Sequence, residues 1–228
     1  ISPEELEQTL VIVGSHDNTL DLLATLLRRY YPELRLASAH VGSTGGLMAV
    51  KQGRAHLAGS HLFDPATATY NIPYIKRLLP DLPLKLVHLV QREQGFIVLP
   101  DNPKNIRDFS DLTREGVRFT NRQRGSGTRI LLDYHLEQLQ IPSQQINGYH
   151  QEEYTHMAVA VNVLSGVADV GLGILAAAKA LGLGFVPLVK ERYELVVPAT
   201  TFQEERFQKL LALIRSEAFR QAVQNLGG

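Results

Sequence analysis

The chain has 228 residues, of which 44% are hydrophobic, and its 23 basic and 23 acidic side chains give a formal net charge of zero. A domain that binds nucleic acid is usually markedly basic, so this balance argues against a direct nucleic-acid contact. There is no cysteine, which excludes disulfides, thiolate metal sites and cysteine nucleophiles. No apolar run approaches the ~18 residues needed to span a bilayer.

The first part of the chain alternates short apolar strands with helices. In chain order we predict a strand at Leu10–Val13, a helix over 20–27, a strand at Leu34–Ser38, a helix from Gly42 to Gly53 and a strand at Ala55–Gly59. This β-α-β-α rhythm is typical of an open, mostly parallel sheet.

The middle of the chain contains two apolar strands separated by a short polar stretch. Leu84–Val90 and Gly95–Leu99 are predicted strands, and Gln91–Gln94 between them is predicted to be the crossing from one lobe to the other. Further elements follow in order: a strand ending at Phe119, helices over 128–140 and 154–164, a strand at 168–171, a helix over 174–181, strands at 185–188 and 193–197, and helices over 202–214 and 216–226.

Glycine and hydroxyl residues recur where predicted strands end and helices begin. Gly14-Ser15, Gly42-Ser43-Thr44 and Gly125-Ser126-Gly127-Thr128 open helices, and Gly59-Ser60 ends a strand. The first backbone N–H groups of a helix lack intrahelical partners and lie at the positive end of the helix dipole, so they can bind an anion. Serine, threonine and glycine are also ordinary helix caps, and any one of these turns can be explained in that way.

Three stretches carry a resemblance to a known family. They are 13–17, 40–47 and 121–129, which read VGSHD, HVGSTGGL and NRQRGSGTR. In these stretches, and over nearly the whole chain, the sequence resembles the type II periplasmic-binding-protein superfamily, whose closest soluble forms bind molybdate or tungstate. More specifically, it resembles the PBP-like domain fused to MoeA-type molybdopterin biosynthesis proteins or to helix-turn-helix regulators.

The resemblance implies an α/β fold of two lobes in one ligand-binding unit, each lobe a mixed, mostly parallel sheet flanked by helices. The first lobe would take residues 1–91 together with 199–228, and the second would take residues 92–198. Chain crossings near 91–94 and 197–200 would act as hinges if the lobes close on a ligand. It implies an oxyanion, molybdate or tungstate, held only through its oxygen atoms, with no metal ligated by the protein and no other cofactor. The implied ligand-binding residues are Ser15, Ser43, Thr44, Ser60, Arg124, Gly125, Ser126, Gly127, Thr128 and Tyr154. Arg122 and Arg124 beside the loop leave the anion open, because an arginine fork suits a carboxylate or a phosphate as well.

The expected function is therefore recognition and not catalysis: a sensor or substrate-binding domain linked to molybdenum cofactor biosynthesis or to the response to molybdate. Two alternatives are the effector domain of a LysR-like regulator that senses a small organic anion, and the binding component of an ABC transporter. We expect a fused upstream domain, of MoeA or helix-turn-helix type, and allow for a homodimer. Residues 2–8 lack the basic stretch of a signal peptide, so we expect a cytoplasmic location, or a periplasmic one if a signal peptide has been removed.

Two further features have a structural explanation as well as a functional one. Residues 171–176 match G-x-G-x-x-A, a weak dinucleotide fingerprint that a tight strand-to-helix turn also explains. His16 and His61 each lie beside a Gly-Ser turn and could donate to an anion, although a loop histidine is more often a surface residue.

Overall fold

The computed structural model describes residues 5, 7–67 and 69–226 of the chain; the other residues of the predicted first lobe, 1–4, 6, 68 and 227–228, lie outside it. The strands are β1 (Thr9–Gly14), β2 (Arg35–His40), β3 (Leu57–Ser60), β4 (Phe63–Asp64), β5 (Thr69–Tyr70), β6 (Leu84–Val98), β7 (Phe119–Arg122), β8 (Glu152–Glu153), β9 (Val170–Ile174) and β10 (Gly184–Pro198). The helices are α1 (Asn18–Tyr30), α2 (Ser43–Lys51), α3 (Ile72–Leu78), α4 (Gly127–Gln138), α5 (His156–Leu164), α6 (Leu175–Ala180), α7 (Ala199–Gln203), α8 (Glu205–Ile214) and α9 (Glu217–Leu226). Short 3₁₀ helices lie at Phe109–Thr113 and Ser143–Gln145.

One eight-stranded sheet runs through the protein in the order β2-β1-β3-β10-β6-β9-β7-β8. β1 pairs in parallel with β2 and β3, and β7 pairs in parallel with β8 and β9. The long strands β6 and β10 lie antiparallel at the centre and join these two parallel groups. The sheet and its flanking helices confirm the predicted two-part α/β fold.

The polar stretch Gln91–Gln94 is not a linker. It lies inside β6, which runs without a break from residue 84 to residue 98, and it pairs with residues 189–192 of β10. The two predicted strands near the end of the chain are likewise one strand, β10, with register shifts after Pro187 and Tyr193. The backbone continues as a strand here because its ladder partners are present. Two of its polar side chains, Arg92 and Gln94, are buried and face the site described below.

Hydrophobic cores lie on both sides of this crossing. Leu195 and Val197 pack in the first core, with Leu23 and Phe207, although the predicted division placed all of 92–198 in the second lobe. The chain passes back between the lobes at residues 189–192, opposite Gln91–Gln94, and not at 197–200.

Local capping fixes where three helices begin. The Asp17 side chain accepts a hydrogen bond from the Thr19 N–H at 2.8 Å before α1, and Thr155 accepts from the Ala158 N–H at 3.0 Å before α5. The Ser126 hydroxyl accepts from the Arg129 N–H at 3.1 Å before α4. All three helices therefore start at the centre of the protein with ordered first turns.

Phe96, on the second-lobe half of β6, is fully buried and stacks edge-on against Phe109 with ring centroids 5.2 Å apart. We expect Phe96→Ala to lower the free energy of unfolding by about 3–5 kcal/mol, since it removes apolar contacts and leaves a cavity. Leu86→Ala, at an exposed position of the same strand, should cost under about 1 kcal/mol. Denaturant unfolding measures both values, and equal losses would contradict the placement of the second core.

Candidate ligand-binding site

Turns from both parallel strand groups meet at the middle of the sheet. The Thr44 N–H and hydroxyl, at the start of α2, donate to the Gly125 carbonyl at 3.3 and 3.2 Å. Gly42 has φ +83° and lies so close to the other turn that a Cβ there would be 3.1 Å from the Gly125 carbonyl and the Ser126 nitrogen. The two lobes are thus in direct contact, which is a closed arrangement.

Three predicted hydroxyl ligands from the first lobe are buried and already have partners. The Ser15 hydroxyl lies 2.8 Å from His61 Nε2, and the Ser43 hydroxyl accepts from the His61 backbone N–H at 3.2 Å. The Ser60 hydroxyl donates to Asn71 Oδ1 at 2.7 Å, so its proton is committed to a structural contact. Ser15 and Ser43 meet at His61, and Ser60 faces away toward Asn71.

The predicted residues of the second lobe separate into two groups. Gly125 touches Thr44, Gly127 lies against His61, and the buried Thr128 hydroxyl has no hydrogen-bond partner among the described residues. The Arg124 side chain is 78% exposed, and Tyr154 is exposed as well. The structure therefore does not bring the side chains of Arg124 and Tyr154 together with the other predicted residues.

Arg122, the last residue of β7, is the arginine that lies inside the protein. Its side chain is fully buried, and it donates to the backbone carbonyls of Glu153 and Tyr154 at 3.1 and 3.2 Å and to Gln123 Oε1 at 3.1 Å. Its Nη1 has no partner among the described residues, nor does its guanidinium form an ion pair with any of their carboxylates. Burial and the nearby Arg92 lower the pKa of Arg122 to about 9 against the opposing effect of Glu191, so at neutral pH Arg122 is a cation that forms no ion pair with a described residue.

The second buried arginine, Arg92, has its charge balanced. It lies on β6 at the crossing and forms ion pairs with the Asp17 carboxylate and, at 2.5 Å, with Glu191 of β10. Burial alone would raise the pKa of Glu191, but Arg92 and His61 outweigh it and lower that pKa to about 2. Glu191 is therefore ionised throughout the physiological range.

A chain of hydrogen bonds leads from Glu191 to Ser15. His61 Nδ1 lies 2.8 Å from Glu191 Oε2, and His61 Nε2 lies 2.8 Å from the Ser15 hydroxyl. Burial, and to a lesser degree Arg92, lower the pKa of His61 against the opposing effect of Glu191. Neutral His61 therefore donates from Nδ1 to the ionised Glu191 and accepts the Ser15 proton at Nε2.

Two other histidines complete a buried polar group. The His156 ring lies 6.2 Å from the His16 ring and 6.5 Å from the His61 ring, centroid to centroid. We call this group the interlobe cluster; its members are Ser15, His16, Asp17, His61, Arg92, Gln94, Arg122, Gln123, Thr128, His156 and Glu191, all buried. Polar atoms without partners among the described residues include His16 Nδ1, Arg92 Nη2, Gln94 Oε1, Arg122 Nη1, Gln123 Nε2, Thr128 Oγ1 and both ring nitrogens of His156.

Sequence reasoning did not place most of this cluster at the site. Arg92 and Gln94 were assigned to a polar linker, and His156 was assigned no role. The sequence does contain a signal for these two residues. Arg92 and Gln94 are two positions apart, on the same face of a strand, and lie between two apolar halves of that strand. His61, which the sequence analysis considered as a donor, is buried at the centre.

The remaining motifs lie elsewhere or carry no ligand geometry. Gly171 and Gly173 of the G-x-G-x-x-A match lie within β9, where a Cβ on Gly171 would meet the Val159 side chain at 2.4 Å. Both are close-packing positions in a buried strand. In the described part of the chain, no group of three or more His, Asp or Glu side chains is arranged to hold a metal ion. Nor does any described helix have the length and apolarity to cross a membrane.

One mixed sheet has a parallel group of strands in each half and a buried polar cluster where the two long strands join them. This arrangement is typical of the two-lobed periplasmic-binding fold. The chain belongs to the family described as the PBP superfamily domain, whose match covers residues 24–215. It is 34% identical, over 96% of its own length and 70% of the relative's, to the uncharacterized protein YvgK of Bacillus subtilis.

Solved structures with the same fold have little sequence identity to it. A Clostridium perfringens protein described as a phosphate ABC transporter substrate-binding protein, with bound phosphate, matches at TM-score 0.71 and 15% identity, over 96% of this chain and 97% of that one. The substrate-binding domain described for a molybdenum ABC transporter of Clostridium difficile matches at TM-score 0.58 and 15% identity, over 96% of this chain and 97% of that one. The effector-binding domain of a BenM variant matches at 0.63 and 16%, over 95% and 96%. At these identities the likeness is one of fold.

The two buried arginines should differ in their effect on stability. Arg92→Met leaves the buried carboxylates Asp17 and Glu191 without their counter-ion, so we expect a loss of about 3–5 kcal/mol in the free energy of unfolding. Arg122→Met removes a cation that has no ion pair and breaks hydrogen bonds to uncharged acceptors only. Its loss in the free energy of unfolding should therefore be less than half as large. Denaturant unfolding without added anions measures both; a larger loss for Arg122→Met would contradict the charge balance described here.

Proposed function

We propose that the chain binds a small oxyanion in the interlobe cluster and that it works by recognition. The observation that carries the proposal is the Arg122 guanidinium, which is fully buried with a free Nη1 and no carboxylate partner among the described residues. A buried cation without a counter-ion is costly and persists where an anionic ligand completes the site.

The surrounding groups fit an anion better than they fit a cation. Arg92 Nη2, Gln123 Nε2 and the Thr128 hydroxyl can donate and have no partner among the described residues. Thr128 lies in the first turn of α4, whose positive dipole end faces the interlobe contact. Donors held in place before the ligand arrives can replace its water shell with little reorganisation.

For the identity of the anion we propose a tetrahedral oxyanion, with molybdate and tungstate as the first candidates and phosphate beside them. The motif resemblance supports molybdate or tungstate, and the fold likeness extends to proteins described as binding phosphate and as serving molybdenum transport. We further propose a cytoplasmic sensor or binding domain linked to molybdenum cofactor biosynthesis or molybdate response, fused to a MoeA-type or helix-turn-helix domain.

A second candidate function is the sensing of an organic carboxylate, as in a LysR-type effector domain. The observation in its favour is the same free guanidinium, since arginine binds a carboxylate as readily as an inorganic oxyanion. The fold likeness to the BenM effector-binding domain supports it. The two candidates differ in which ligands stabilise the protein.

A panel of anions tests both candidates through thermal unfolding. Molybdate, tungstate or phosphate at about 100 times the dissociation constant should stabilise the folded protein by about 2.7 kcal/mol and raise its melting temperature. Arg122→Gln should abolish the shift, because it removes the unpaired cation, whereas Arg124→Gln alters an exposed side chain and should leave the shift intact.

If Arg124→Gln abolished the shift and Arg122→Gln left it intact, the anion would bind at the surface and not in the interlobe cluster. Stabilisation by small carboxylates alone would favour the effector-domain function. No shift with any anion in the panel would contradict both candidates.

Gly127 tests whether lobe contact accompanies binding. A Cβ at this position would be 2.6 Å from both the ring and the carbonyl oxygen of His61, so Gly127→Ala should hold the two lobes apart. We expect a weaker anion affinity, by at least ~10-fold, and a larger radius of gyration in small-angle scattering at saturating anion. Gly45→Ala is the matched control, because its Cβ would meet only the Val41 side chain within one lobe. An unchanged affinity for Gly127→Ala would show that the lobe contact is not part of the bound state.

A further inference from the structure

The formal charges of the interlobe cluster sum to zero before any histidine is protonated. Arg92 and Arg122 contribute two positive charges, and Asp17 and Glu191 contribute two negative ones. A singly charged anion would leave one negative charge in excess in this buried space, and a doubly charged anion would leave two. Unbalanced charge is costly at low dielectric, so a doubly charged ligand favours uptake of a proton by a nearby group.

His156 is the group in the cluster whose neutral form is least satisfied. It is fully buried, at the first position of α5, and neither ring nitrogen has a hydrogen-bond partner among the described residues. A buried imidazole normally has its N–H and its lone pair paired. Two unpartnered nitrogens are therefore an independent sign that a ligand contacts this ring.

The four side chains with the largest effects on the pKa of His156 are cations or can become cations. Arg122 comes from β7, Arg92 from β6, and His16 and His61 from the loops after β1 and β3. Burial and these neighbours hold the pKa of His156 well below its usual range when no anion is present. An anion among them raises that pKa, and a doubly charged anion raises it more than a singly charged one.

His61 is less suited to take up the proton. Both of its ring nitrogens already have partners, the Ser15 hydroxyl and the Glu191 carboxylate, so its neutral form is satisfied. Protonating His61 would also reverse the hydrogen bond to Ser15. His156 has no such contact to lose.

We infer that His156 takes up a proton when a doubly charged oxyanion binds, and that His156 thereby determines which ligand charge the site accepts. The inference rests on the proposed anion binding. Tungstate carries two negative charges, so tungstate together with one added proton changes the charge of the site by −1. A singly charged anion without an added proton changes it by the same amount, so a site with His156 should bind both.

Tungstate and perrhenate provide the test, because both are tetrahedral oxyanions of similar size that differ by one unit of charge. Calorimetric titration at about pH 7.5, in buffers of different ionisation enthalpy, should show uptake of about one proton with tungstate and almost none with perrhenate. Above about pH 6.5, where free His156 is neutral, the dissociation constant for tungstate should rise by up to ~10-fold per pH unit, and that for perrhenate should stay nearly constant.

The variant His156→Gln keeps a polar side chain but cannot take up the proton. It should weaken tungstate binding by at least ~10-fold and abolish proton uptake, and it should change perrhenate binding by less than ~3-fold. Perrhenate binding also reports that the variant is folded. His150→Gln, at an exposed histidine six residues earlier, is the matched control and should behave like the wild type.

The outcomes separate this inference from the proposed function. Binding of tungstate without proton uptake would overturn the role of His156 and leave anion binding intact. Uptake that persists in His156→Gln would assign the proton to another group and would also overturn the inference. Failure of both anions, and of the rest of the thermal panel, to bind would contradict the proposed function itself.

Discussion

The ion pairs of Arg92 hold the centre of this protein together. Arg92 extends from one of the two strands shared by both lobes, and its guanidinium joins Asp17 at the start of α1 to Glu191 on the other shared strand. Three charges are buried here, and removing any one would leave another without a partner. Arg122 forms no ion pair with a described residue, so its guanidinium keeps a nitrogen without a partner even though the formal charges of the whole cluster cancel.

Helix capping and ligand binding draw on the same hydroxyl groups. The Ser126 oxygen accepts from the first turn of α4 and keeps its proton, whereas Ser60 donates its proton to Asn71. The Ser15 hydroxyl gives its proton to His61 and can then only accept. In the proposed site, guanidinium and imidazole groups therefore supply the donors that Ser15 and Ser60 cannot.

The sequence predicts the strands, helices and turns around the site well, because apolar periodicity and Gly-Ser turns reflect local physics. The prediction is wrong at β6. There Arg92 and Gln94 interrupt the apolar pattern because both donate hydrogen bonds to Glu191 of the neighbouring strand β10. The sequence analysis also assigned ligand binding to Arg124, whereas the buried arginine is Arg122. Both lie beside the same loop, but the strand ends at Arg122, so the first side chain points inward and the second follows the turn into solvent. Where a strand stops depends on pairing with β8 and β9, which one-dimensional patterns do not contain.

The proposed anion binding is compatible with a chain of zero net charge, because the charge balance that matters is the one inside the cluster. The overall count of acidic and basic residues limits nucleic-acid binding, but it does not describe a buried group of eleven residues in which arginines, carboxylates and histidines offset one another. Within that group the fixed charges cancel, so each added negative charge must be met by a proton or remain uncompensated. In the proposed function, the charge of the ligand and the protonation of the histidines are therefore coupled by the electrostatics of the cluster around Arg92.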